Sequence, residues 1–221
     1  MMNPFWVAVI IVLMIVIVAC CARARANKTR SFEYGGYIVN VLSDETGRDR
    51  AVAIMYECDG RIMKLLSHLR AKYHVGAADD ECAEDCARIR REKEARCAIV
   101  EHLLRGFNYE EVHEHNPSAN GDVAYSQNKG ERIMLCLRDA RNGAPDINAL
   151  MFVVLHECAH IANYNEWGHS ARFWSIFKYL LIEAVEAGVY VPVDYSRNPS
   201  TYCEFRLDHN PYFDAGIETF A

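Results

Sequence analysis

The chain has 221 residues, 51% of them apolar, and a formal net charge of −6. That size allows one compact domain with an extension, and it excludes a disulfide-stapled mini-protein and a long disordered chain. The charge is uneven: residues 1–22 carry none, Arg23, Arg25, Lys28 and Arg30 carry +4, and residues 31–221 are left with −10, which argues against nucleic acid as a partner.

Phe5 to Ala22 is an unbroken apolar run, FWVAVIIVLMIVIVACCA. A bilayer-spanning helix needs roughly 20 such residues, so residues 1–22 are expected to form a transmembrane anchor. The basic residues lie only on its C-terminal side, which predicts a single-pass protein whose body faces the cytosol or a cytosol-derived interior. Cys20 and Cys21 at the membrane edge are candidates for palmitoylation, with plain small apolar residues as the alternative. The nine cysteines are odd in number and scattered without a CxxC pair, which reads as thiols in a reducing compartment.

Residues 23–50 read as a basic collar and connector. Residues 51–106 read as a helical region. Its first helix runs from about Arg50 to Tyr73, with Ile54, Cys58, Ile62, Leu65 and Leu69 at helical spacing; a second spans 78–106 and stops at Gly106. Residues 107–130 look rich in loops, with Asn116-Pro117 and Asn120-Gly121 as turn signals. Alternation at Ile133, Leu135 and Leu137 predicts a strand over Glu131–Arg138, with a free edge for an extended peptide to pair with. Asp146 caps a helix expected over 147–163, and a short loop leads through Gly168 to a helix over 170–187, stopped by Gly188. The tail, 189–221, reads as irregular. The sum is an α+β chain: a transmembrane helix, then a mainly helical domain with a small sheet, with residues 107–221 as the catalytic core.

The chemistry rests on His156-Glu157-Cys158-Ala159-His160, an HExxH motif inside the predicted helix LMFVVLHECAHIAN. Residues four apart lie one turn apart on one helix face, so the two imidazoles converge on one ion, and the Glu between them is placed to take a proton from a metal-activated water. Zn2+ is the expected cofactor, and a catalytic zinc needs a third protein ligand. His169 is the candidate: Gly168 permits the chain to turn back, and Ser170 caps the next helix. Glu166 is the alternative ligand. The metzincin spacing is absent, because Asn163 and Glu166 stand where that pattern requires Gly and His. Tyr195, and beside it Tyr202, are candidate oxyanion donors, against the plainer role of packing the tail. His113-Glu114-His115 reads as a solvated loop segment, and Phe173-Trp174 as core.

The stretch HECAHIANYNEWGHSARFW resembles the HExxH…GHxxxFW signature of WLM-type, minigluzincin-like zinc metallopeptidases. YSQNKGERIMLCLRD and VPVDYSRNPSTYC are similar to segments of metallopeptidases encoded by large DNA viruses and some algae. The resemblance covers roughly residues 107–205. It departs at Cys158, where the family usually has Leu, a helix-packing position. It implies a compact zincin-like α+β core, His156, His160 and His169 as zinc ligands and Glu157 as catalytic base. The function it implies is hydrolysis of protein or peptide substrates by a membrane-anchored enzyme, in a host or virion membrane if the chain is viral. A non-catalytic anchored adaptor with a structural zinc is the competing expectation.

Overall fold

The structure is a computed structural model that describes residues 9–18, 28–44, 46–75, 88, 91, 93–117, 122–139, 141 and 143–220. The first two strands make a hairpin: β1 (Thr29–Tyr34) pairs antiparallel with β2 (Tyr37–Leu42). Its two-residue turn, Gly35-Gly36, takes φ +58° and +84°, the double positive φ that such tight turns demand and that glycine adopts without strain. α1 (Arg48–Lys72) follows and buries Ala51, Met55, Cys58, Ile62, Leu65 and Leu69, the face expected from their spacing. α2 (Glu94–Gly106) packs Cys97, Val100 and Leu103 inward. Then come β3 (Val112–Glu114), β4 (Ala124–Gln127) and β5 (Arg132–Leu135).

These five strands form one sheet in the order β1-β2-β3-β5-β4. The β2–β3 and β3–β5 pairs are parallel, while β4 pairs antiparallel with β5 at the sheet's edge. The α1 and α2 helices are thus the crossover that parallel β2 and β3 require. α3 (Ile147–Ala162) and α4 (Ala171–Glu186) pack against each other. Asp146 caps α3, its carboxylate accepting from the Asn148 and Ala149 amides at 2.9 and 3.0 Å, and Ser170 caps α4 through the Phe173 amide. From Ala149 to Ala162 every residue of α3 is buried except His156 and His160. A helix apolar on nearly all sides belongs inside a domain, so within that stretch the two imidazoles mark the opening to solvent. A small hairpin, β6 (Ser200–Tyr202) with β7 (Phe205–Leu207), closes the tail.

The structure corrects several expectations. In the apolar N-terminal run the structure describes residues 9–18, which are helical. Among the described residues no helix is long and apolar enough to cross a membrane, so the expected transmembrane anchor over residues 5–22 is overturned, and with it the single-pass, cytosol-facing placement. Cys20 and Cys21, and most of residues 78–92 of the helix expected over 78–106, lie outside the described residues. The cysteines are not all thiols: Cys136, just beyond β5, is disulfide-bonded to Cys203, 67 residues on, while Cys58, Cys97 and Cys158 are buried thiols.

Residues 107–130 are also more than loop. Glu114, expected to be solvated, is fully buried on β3. Its carboxylate accepts from the Leu42 amide at 2.7 Å and from Arg138 Nε and Nη2 at 2.6 and 2.8 Å. Arg138 Nη1 goes on to Asp44 and the Thr46 carbonyl. The pair ties the ends of β2, β3 and β5 together, and removing one partner of such a buried pair costs about 3–5 kcal/mol.

Candidate metal centre

α3 carries His156 and His160 one turn apart at its C-terminal half. The chain then turns back through Gly168, at φ +75°, where a side chain would be strained. This return places His169 immediately before the Ser170 cap of α4. His169 Nε2 lies 3.0 Å from His156 Nε2, and His160 Nε2 lies 3.2 Å from it. One ligand atom from each of the three histidines falls within 4.8 Å of the others. Tetrahedral nitrogens about 2.0–2.1 Å from a zinc ion stand about 3.3 Å apart, so the three imidazoles fit that ion.

Phe173 backs all three rings, with centroids 4.4–4.9 Å away. Burial and the His160 and His169 imidazoles push His156 down to about 3, and burial with His169 and the Lys129 ammonium pushes His160 to about 4, so both are neutral near pH 7, the form that binds metal. Glu157 is 4% exposed. Burial lifts its carboxyl to about 7 against the pull of the Ser126 backbone amide. Glu157 and the three histidines line one cavity of about 300 Å³ whose far wall is Asp122, Ala124, Tyr125, Ser126 and Lys129, with Trp167 and Gly168 on the return loop.

The structure thus gathers His156, Glu157, His160 and His169. Glu166 is turned away, its carboxylate taking the Ser170 hydroxyl. Tyr195 is 2% exposed and packs edge-on to Phe152 at 5.1 Å, outside the cavity lining, and Tyr202 is fully buried. The strand expected to offer an edge, now β5, is paired on both sides; the sheet's edge on the cavity is β4. Sequence reasoning did not single out Tyr125, Ser126, Lys129 or Trp167, and the one local signal for that wall was the turn-forming Asn128-Lys129-Gly130.

A second group of possible ligands, His68, Glu183 and Glu186, already holds a cation. The Lys72 ammonium already sits there, 2.9 Å from both Glu183 oxygens and 2.6 Å from Glu186.

Comparison with known proteins agrees with this geometry. Residues 80–196 match the WLM domain, just over half of the chain. The chain is 36% identical over 89 residues to uncharacterized protein R325 of Acanthamoeba polyphaga mimivirus, covering 40% of this chain and 45% of that protein. It is 41% identical over 73 residues to uncharacterized protein 136R of Invertebrate iridescent virus 6, covering 32% of this chain and 40% of the relative. The chain therefore spans less than half the length of these viral relatives. No solved structure matches it. With the HExxH helix, the returning His169 and this match, the chain belongs to the WLM domain family, a minigluzincin-like metallopeptidase domain.

Proposed function

We propose that the chain is a zinc-dependent peptidase, with His156, His160 and His169 as the metal ligands and Glu157 as the general base. The observation that carries it is the meeting of three imidazole nitrogens with the buried Glu157 carboxyl in one cavity. Zinc bound there supplies Lewis-acid chemistry, polarising a water and the substrate carbonyl. Glu157, buried beside the two helix histidines, would take the proton of an attacking water and hand it to the leaving nitrogen. A purely structural zinc site has no use for such a carboxyl.

β4 supplies the substrate platform in this scheme. As the edge strand along the cavity, it has backbone groups placed to pair with an extended peptide across the metal-binding helix. Unfolded or extended polypeptide is then the preferred substrate class over a rigid folded surface.

Metal removal is the direct test. Cleavage of an unstructured peptide library by the full chain is expected to stop when a chelator strips the metal, and to return with one equivalent of zinc. One tightly held equivalent of zinc with no turnover on any peptide would favour the adaptor reading instead.

A further inference from the structure

The β4–β5 turn is built on three successive residues with positive φ: Asn128 at 45°, Lys129 at 60° and Gly130 at 103°. It also packs unusually close to its neighbours, since a Cβ at Gly130 would lie 2.2 Å from the Gly106 carbonyl oxygen. Backbone held in this region costs energy and persists where the surroundings fix it. Its consequence is the aim of one side chain. The Lys129 ammonium donates to the His160 carbonyl at 3.2 Å, to the Asn163 carbonyl at 2.6 Å and to the Glu166 carbonyl. It also lies 4.7 Å from the centroid of the Trp167 ring, which is 76% exposed at the cavity mouth.

Those acceptors follow one another along the path of the metal ligands. His160 is the second ligand, Asn163 is the C-cap of α3, and Glu166 lies two residues before Gly168. Three donors on one compact head thus satisfy carbonyls at the helix end and pin the loop that returns His169. Lys129 is itself anchored on the opposite wall, three residues beyond Ser126 of β4, whose amide meets Glu157. Arginine, with its planar fork, does not reproduce three converging bonds from a single nitrogen.

We propose that Lys129 is a positioning residue for the third metal ligand: it holds the 163–169 loop so that His169 meets His156 and His160. The proposal rests on the zinc-site reading above and names what presets the geometry of that site.

The test is a double-mutant cycle in zinc affinity, read by competition between the full chain and a chromophoric chelator, with circular dichroism as a folding control. Lys129→Met is expected to weaken zinc binding about 10–100-fold, the range seen when a supporting partner of a metal ligand is lost. In a His169→Ala background the same substitution is expected to change affinity less than about 2-fold, because its effect runs through the missing ligand. Unchanged affinity in Lys129→Met, or an equal loss in both backgrounds, would overturn the proposal, since a purely structural lysine weakens the site with or without His169. If Lys129→Met does not fold, Lys129→Arg goes through the same cycle: a loss confined to the chain with His169 supports the proposal, and no loss or an equal loss overturns it. A wild-type chain that takes up no zinc overturns the metal reading and this proposal with it, whereas a wild type that binds zinc no tighter than the folded variant overturns the proposal alone.

Discussion

His156, His160 and His169 illustrate how much a local pattern carries. The first two are fixed by the i, i+4 geometry of any helix, and the third by Gly168 and Ser170, which flank it directly. All of that is local, so the cluster was legible before the fold was known. Tyr195 was not placeable in the same way. Its neighbour Phe152 lies 43 residues earlier, and nothing adjacent to Tyr195 records which way the tail folds. Glu166 was the alternative to His169, and packing separates the two: the Ser170 hydroxyl occupies the Glu166 carboxylate, while His169 faces the other imidazoles. Zinc affinity is accordingly expected to fall at least about 10-fold in His169→Ala and to change little in Glu166→Ala, as measured by chelator competition. A larger loss in Glu166→Ala would reassign the ligand.

At the scale of elements, the helices were readable and the small sheet only partly so. α3 and α4 announce themselves by Asp146 and Ser170 at their starts and by long apolar faces. β3 did not, because its sequence is Val-His-Glu and its central fact is a buried carboxylate. Glu114 is tolerable inside only because Arg138 and the Leu42 amide reach it from 24 and 72 positions away. β1 and β2 were likewise hidden in what looked like a connector, their place in the sheet depending on pairing with β3.

α1 supplies a titration prediction at this scale. Burial raises Asp59 to about 7, so the folded state prefers it protonated. A carboxyl raised on folding contributes stability that is fully present below its unfolded value of about 3.9 and is lost as pH climbs toward 7. Asp59→Asn, which cannot ionise, is therefore expected to raise the melting temperature relative to wild type more at pH 8 than at pH 5, as thermal denaturation at the two pH values would read. An equal shift at both would contradict it.

For the whole molecule, composition misled in two places. An apolar run was counted as a membrane span from its length in residues, but among the described residues no helix is long and apolar enough to cross a membrane. Nine scattered cysteines suggested thiols, yet the fold brings Cys136 and Cys203 together by laying the β6–β7 hairpin against the end of β5. That bond closes a loop of about 67 residues containing α3, α4 and every metal-ligand candidate. Cross-linking a loop of that length removes denatured-chain entropy of up to about 4 kcal/mol. Cys203→Ser is expected to lose a few kcal/mol in denaturant unfolding and to become insensitive to reductant, while the wild type loses a similar amount on reduction. A wild-type curve unmoved by reductant would show that the bond adds nothing.

The proposed activity turns on Glu157 acting as base beside a zinc held by three histidines. The most direct measurement compares kcat/KM on one unstructured peptide for zinc-loaded wild type and Glu157→Gln, with zinc content read on the same samples. Equal zinc in both and a loss of about 100-fold or more in the variant are expected. Equal zinc with undiminished cleavage in Glu157→Gln would contradict that role.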